Sequence, residues 1–293
     1  MAAYHRQPCY WAWAAGGKRL LVHTGTDRIQ GQLAFYKPPT STDPPESGPN
    51  LLQPGLFQAP AVAPDGQHWA CTTVSNAGIP RLIIGDASAT TCLTLPLKGG
   101  TALTWCPIGN QIAFISPHTT ARHFYGPLHL LDTTTGAVQL LTPSNEAVLA
   151  FFWSPDGHSI AYLTLAESEL RERQAERPGA ITNGNGRHNS NGAATHQNRA
   201  PCEGEPKMDV WVANVATGKS RRLTSFYPSE VFVTQFLPFF DQYALSHRLW
   251  SPASDALVLP HVIDNTPHIT IASLGGGPLR AIAEGSTAFW SMG

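Results

Sequence analysis

Phe152-Trp153-Ser154-Pro155-Asp156-Gly157, followed by the apolar run Ile160-Ala161-Tyr162-Leu163, is the stretch whose reading decides the fold. Pro-Asp-Gly between two apolar runs is a tight turn: Pro pre-sets φ, Asp bonds the local backbone and Gly takes a positive φ. The same plan recurs at Trp13-Ala14-Ala15-Gly16-Gly17, Val62-Ala63-Pro64-Asp65-Gly66, Trp105-Cys106-Pro107-Ile108-Gly109 and Trp250-Ser251-Pro252-Ala253-Ser254. The chain closes on Phe289-Trp290-Ser291. The anchors 13, 62, 105, 153, 250 and 290 lie 49, 43, 48, 97 and 40 residues apart. Four of these gaps fit a repeat of about 40–50 residues, the length of one blade in a radial array of sheets.

Each anchor leads into a second apolar run, such as Arg19-Leu20-Leu21-Val22, Ile112-Ala113-Phe114-Ile115 and Ala256-Leu257-Val258-Leu259. A third run ends in a second turn, as in Val210-Trp211-Val212-Ala213-Asn214-Val215-Ala216-Thr217-Gly218. An outer run such as Ser220-Arg221-Arg222-Leu223-Thr224 completes the unit. Four antiparallel strands per repeat predict an all-β chain: a β-propeller of four-stranded antiparallel blades, about five full blades plus an incomplete sixth. Residues 1–293 then form a single propeller domain, with a recurring indole buried between neighbouring blades.

Trp-Ser-Pro-Asp-Gly, the strand after it and the Asp209–Thr224 stretch together resemble the TolB-type β-propeller repeat over about residues 9–291, less one insertion. The resemblance implies the fold. It also implies two kinds of setting, since such blades occur in TolB-like binding proteins and in prolyl-oligopeptidase-like hydrolases. The lone inner strand at Thr287–Ser291 has no outer strands to pair with. Together with Tyr4–Tyr10, which reads as a blade junction already under way, it points to residues upstream of Met1 rather than to an irregular ring.

Two segments break the period. Residues 38–55, rich in Pro and Ser, predict an exposed loop in the first unit. The larger insertion, 166–207, begins with Glu167/Arg171 and Glu169/Arg173 spaced for a short solvated helix. Its remainder holds almost no large apolar residue and predicts disorder. His188 and His196 fall there and read as solvated. Phe226–Arg248, rich in Phe and Tyr, predicts a long connection packed onto the ring by its own aromatic side chains.

Composition narrows the function. Asp, Glu, Lys and Arg make up 13% of the chain, and its formal net charge is −1. That balance gives no footprint for nucleic acid and no polybasic run for a membrane surface. No apolar stretch of about 18 residues exists, so no membrane-spanning helix is expected. The five cysteines form no CxxC pair and read as buried reduced thiols rather than a disulfide framework. Unpaired cysteines and no readable leader fit the cytoplasm. A leader upstream of Met1 would instead make the protein periplasmic or secreted.

No G-x-S-x-G, P-loop, HExxH or EF-hand pattern is present. The inner runs Cys9-Tyr10-Trp11, Ala102-Leu103-Thr104, Ala150-Phe151-Phe152 and Ala288-Phe289 carry no charge. An apolar axis holds no hard cation and supplies no acid–base pair, so the expectation is a non-catalytic protein with neither metal nor cofactor. The candidate binding residues are His247 and Arg248, just before Trp250, and Glu146 and Glu284, which precede Trp153 and Trp290 at similar spacing. Together these four suit a small polar or zwitterionic ligand. The expected role is a scaffold binding a protein, a peptide or a small ligand. The alternative is a propeller module associated with or derived from a hydrolase that lacks its catalytic domain.

Overall fold

A computed structural model describes residues 9–14, 17–24, 32–37, 46–52, 60–75, 77–99, 101–117, 125–166, 206–244 and 246–291. The helix expected near 167–177, the disordered insertion and the Tyr4–Tyr10 junction fall wholly or largely outside these residues.

Five antiparallel sheets follow one another along the chain. The first blade is β1 (Cys9–Trp13), β2 (Leu20–Thr24), β3 (Gln32–Lys37) and β4 (Glu46–Leu52). The second is β5 (Ala61–Val62), β6 (His68–Val74), β7 (Pro80–Asp86) and β8 (Thr91–Pro96). The third is β9 (Leu103–Trp105), β10 (Gln111–Ile115), β11 (Leu128–Asp132) and β12 (Val138–Leu140). The fourth is β13 (Ala150–Trp153), β14 (Ser159–Leu165), β15 (Met208–Asn214) and β16 (Ser220–Phe226). The fifth has three strands, β17 (Ala256–Ile263), β18 (Thr266–Ser273) and β19 (Arg280–Glu284). Its inner strand is reduced to a bridge between Trp250 and Leu257.

The repeat read from sequence is visible atom by atom. In all five units the N–H of the residue after the anchor donates to the carbonyl five residues further on: Ala14 to Arg19, Ala63 to His68, Cys106 to Gln111, Ser154 to Ser159 and Ser251 to Ala256, at 2.8–2.9 Å. Four residues past the anchor the backbone turns left-handed, at Gly17 (φ 65°), Gly66 (φ 66°), Gly157 (φ 69°) and Ser254 (φ 59°). Glycine suits that conformation because it has no Cβ to clash. The aspartates expected as turn formers act as such: Asp65 accepts from Gln67 N, and Asp156 accepts from His158 N and from Ser154 Oγ.

The core runs from blade to blade in three clusters. Leu21, Leu33, Phe35, Trp69 and Ile83 join the first blade to the second. Leu82, Ile84, Trp105, Ile112 and Phe114 join the second to the third. The third cluster, the largest, ties the third, fourth and fifth together around Phe151, Tyr162, Phe226 and Trp250. Burying one such side chain stabilises the fold by about 1.5–3 kcal/mol. Two of the polar ties between blades come from anchor indoles. Trp153 Nε1 donates to Thr104 O at 3.3 Å, and Trp250 Nε1 to Phe152 O at 2.9 Å.

Several expectations are corrected. Residues 46–52, taken as loop, are the outer strand β4, whose pairing with β3 shifts register twice. An outer strand can be Ser- and Pro-rich because it packs less, so its composition hides it. The fifth unit has three named strands rather than four. Of the expected inner strand Thr287–Ser291, only Trp290 pairs, through a bridge to Arg248. The anchor indole is not buried in every blade: Trp13 is 58% exposed. Cys71 and Cys106 are buried free thiols, but Cys92 is exposed. Burial pushes the Cys71 thiol up to about 12.

The aromatic connection is helical. A π-helical turn (Phe232–Phe236), a 3-10 turn (Leu237–Phe239) and a short helix, α1 (Phe240–Tyr243), follow one another. Phe232, Phe236 and Phe240, four apart, point inward and are buried. Phe240 meets Phe151 edge-on at 5.5 Å, and Phe236 stacks on Phe152 at 6.0 Å. The connection therefore packs onto the ring, as expected, against the inner strand of the fourth blade.

Candidate functional site

The inner segments of the third, fourth and fifth blades converge on a cavity of about 220 Å³. Thr104 and Trp105 come from β9, Phe151, Phe152 and Trp153 from β13, and Arg248, Leu249 and Trp250 from the fifth blade's reduced inner segment. Pro107 and Pro155 from the anchor turns and Ala244 just after α1 complete it. The walls are apolar because three consecutive repeats each contribute their anchor indole and its neighbour.

Two polar groups stand out. Among the described residues, Arg248 is the one charged residue lining the cavity, and no carboxylate pairs with it. Thr104 is 6% exposed, and its hydroxyl has no hydrogen-bond partner. Its carbonyl is occupied by the indole of Trp153, so only the side chain is orphaned. A buried hydroxyl left unpaired costs about 1–3 kcal/mol. A third orphan lies close in the chain pairing: Trp290 Nε1 is buried without a partner, while Trp290 N donates to Arg248 O at 2.9 Å.

His247 sits beside Arg248, held among rings. Its imidazole meets Phe289 edge-on at 4.4 Å and Tyr243 at 5.1 Å. Its Nδ1 shares a 2.7 Å hydrogen bond with Ser246 Oγ. The two expected carboxylates have other surroundings. Glu146 is partly buried before β13. Burial lifts its carboxyl above the ordinary carboxylate range, and the charge of buried Asp209 adds to this. Glu284 is exposed at the end of β19, across from His268, which faces His261 in the next strand. Among the described residues no three His, Cys, Asp or Glu side chains are gathered to hold a metal ion.

Arg248, singled out in the sequence from its place before an anchor, falls in the cavity lining. Sequence reasoning missed Thr104, which is one Thr among many; its exceptional feature is a lack of partners, which only the packing reveals. The helical connection did carry a signal in the four-residue spacing of Phe232, Phe236 and Phe240, obscured by Pro238.

A second cavity, of about 450 Å³, opens between the second and third blades. Asp65, His68, Cys92, Asn110 and Thr134 line it. Its polar groups are engaged with one another: His68 Nδ1 lies 2.6 Å from Asp65 Oδ2, and Asn110 Nδ2 donates to Thr134 Oγ1 at 2.6 Å.

No protein-family model and no curated protein matches the sequence. Solved structures do. An oligogalacturonate lyase in complex with manganese is 13% identical, with a TM-score of 0.55 over 94% of this chain and 64% of its own. The β-propeller domain of the Trilobed protease from Pyrococcus furiosus is 9% identical, with a TM-score of 0.50 over 94% of this chain and 71% of its own. TolB from Acinetobacter baumannii is 18% identical, with a TM-score of 0.49 over 96% of this chain and 55% of its own. The chain thus spans between 55% and 64% of the length of TolB and the lyase. At such identities the likeness shows the fold, and the fold is a β-propeller. The matched structures include enzymes as well as TolB. No helix among the described residues is long and apolar enough to cross a membrane.

Proposed function

We propose that this propeller is a non-catalytic binding scaffold that takes a peptide segment or small ligand into the cavity on the inner side of its third to fifth blades. The observation that carries the reading is the make-up of that cavity: apolar walls, and a guanidinium and a hydroxyl without partners among the described residues. Such a lining binds and orients, since pockets for ligands are mostly apolar with a few convergent polar groups. Among the described residues that line the cavity there is no carboxylate or imidazole to move a proton. His247 stands next to it with a serine hydroxyl as its bonded partner. Glu146 and Glu284 are assigned no role in this cavity.

Ala244→Phe tests the reading by filling the cavity from a half-buried position. Wild-type protein enriches a sequence class from a displayed random-peptide library, and the variant, folded to the same melting temperature, does not. Enrichment that is absent, or unaffected by the substitution, contradicts the proposal.

The match to the Trilobed protease propeller favours a second reading, a module that gates a hydrolase carried elsewhere. Peptidase activity that co-purifies with this chain and changes in specificity on Ala244→Phe would support that reading over the first.

A further inference from the structure

The scaffold reading leaves open what the cavity selects, and its unpaired groups answer that. Arg248 presents a permanent positive charge with five fixed donors and no carboxylate partner among the described residues. Thr104, nine-tenths buried, belongs to the lining of the same cavity, and its hydroxyl has no partner among the described residues. Unsatisfied buried polar groups are rare in folded proteins, so the Thr104 hydroxyl, on a cavity that also holds a guanidinium without a carboxylate, calls for an explanation. The other side chains that line the cavity among the described residues are apolar or indole. A cation against apolar walls attracts an anion that brings its own apolar surface. A fully hydrated anion such as sulfate would lose its water and gain one contact.

The size fits such a guest. A cavity of about 150 Å³ lined by carbon is enough to hold benzene. This one, at about 220 Å³, has room for a ring or a branched chain with a small polar head. Resting on the scaffold reading, we infer that the cavity recognises a free carboxylate attached to an aromatic or branched apolar body, such as the C-terminal residue of a peptide ending in Phe or Leu. The carboxylate meets the Arg248 fork, Thr104 donates its hydroxyl hydrogen to the same group, and the apolar body lies among Phe151, Trp105 and Trp153. Planar bidentate pairing is what a guanidinium offers to a carboxylate and withholds from a carboxamide.

The probes are N-acetyl-L-phenylalanine and its carboxamide, which differ only in the head group. Three cavity-lining indoles, Trp105, Trp153 and Trp250, report binding through their emission, and calorimetry checks it. Wild-type protein binds the acid about tenfold or more tightly than the amide. Arg248→Gln binds the two alike. Thr104→Val weakens the acid about threefold and leaves the protein as stable as wild type or more so, because it removes an unpaired hydroxyl. A wild type that binds neither probe, or both equally, overturns the inference, as does an Arg248→Gln variant that keeps the preference. If the inference fails while Ala244→Phe still abolishes peptide enrichment, the scaffold reading stands. If both fail, the cavity is not a binding site.

Discussion

The first and fourth blades are built on the same plan, and among the described residues only the fourth is covered on both faces. In the fourth, β13 carries Phe151 and Phe152, which are buried, and the indole of Trp153 reaches back to the carbonyl of Thr104. The next anchor, Trp250, is 2% exposed and donates to Phe152 O. In the first, Ala12 and Ala14 turn toward the second blade, while Trp11 and Trp13 are 60% and 58% exposed. Strand register puts Trp11 opposite Val22 and Trp13 opposite Leu20, on one face of the sheet. The same anchor thus gives a wedge where a preceding inner strand is packed against it and an open indole where the described residues place none. The anchor residue confers no stability of its own. Its contribution comes from the neighbour it meets.

The contrast can be broken most forcefully at the indoles. Trp250→Ala empties a packed junction and removes a buried donor, so it costs about 3–5 kcal/mol in denaturant unfolding. Trp13→Ala removes a mostly solvated ring and costs within about 1 kcal/mol. Equal losses would show that the first blade is as fully packed as the fourth.

The turns sharpen the comparison at smaller scale. Gly17 and Gly157 occupy the same repeat position, with φ of 65° and 69°. An added Cβ at Gly17 meets nothing within 4 Å, whereas at Gly157 it lies 2.5 Å from Ile108 Cγ1 and 2.9 Å from Cys106 Sγ. Gly17→Ala therefore costs only the strain of a left-handed backbone, about 1 kcal/mol. Gly157→Ala adds overpacking against the third blade and costs about 3 kcal/mol. The same melts that score the indoles score these.

The smallest effect is electrostatic and concerns the outer turns. The hydrogen bond from the Thr135 backbone, helped by Thr134, holds the Asp132 carboxyl below its ordinary range against an opposing desolvation. The Ser88 hydroxyl and Thr90 N–H do the same for Asp86. A carboxyl whose folded value is depressed stabilises the fold above its unfolded value, and that contribution fades as pH falls through the folded one. Stability measured from about pH 5 down to about pH 2 should therefore decline less steeply in Asp132→Asn than in wild type. Parallel acid limbs would remove the assignment.

How much of this could be read in advance follows from what a sequence encodes locally. The turn after each anchor depends on residues within six positions of one another, and all five copies were legible, with a left-handed fourth position in four of them. β4 was not, because an outer strand rich in Ser and Pro has neither the alternation nor the branched residues that mark inner ones. The helical form of Phe232–Tyr243 was hidden by Pro238, although its phenylalanines fall at helical spacing. Within the candidate site, Arg248 was legible as a charge next to an anchor. Thr104 was not, because being unpartnered is a property of three blades meeting, and no single segment contains it. Glu146 and Glu284 show the limit of arguing from repeat position. Equivalent spacing placed them before equivalent anchors, but the fourth blade meets a full neighbour and the end of the chain meets the aromatic connection, so one carboxyl is partly buried and the other solvated.

The most direct test of the wedge account is hydrogen exchange at the indole N–H groups, read by ¹⁵N-labelling all eight tryptophans. The account predicts slow exchange at Trp250 and Trp69, whose N–H groups donate to backbone carbonyls at 2.9 and 2.8 Å, and fast exchange at the exposed Trp11 and Trp13. Protection of Trp13 equal to that of Trp250 would contradict it.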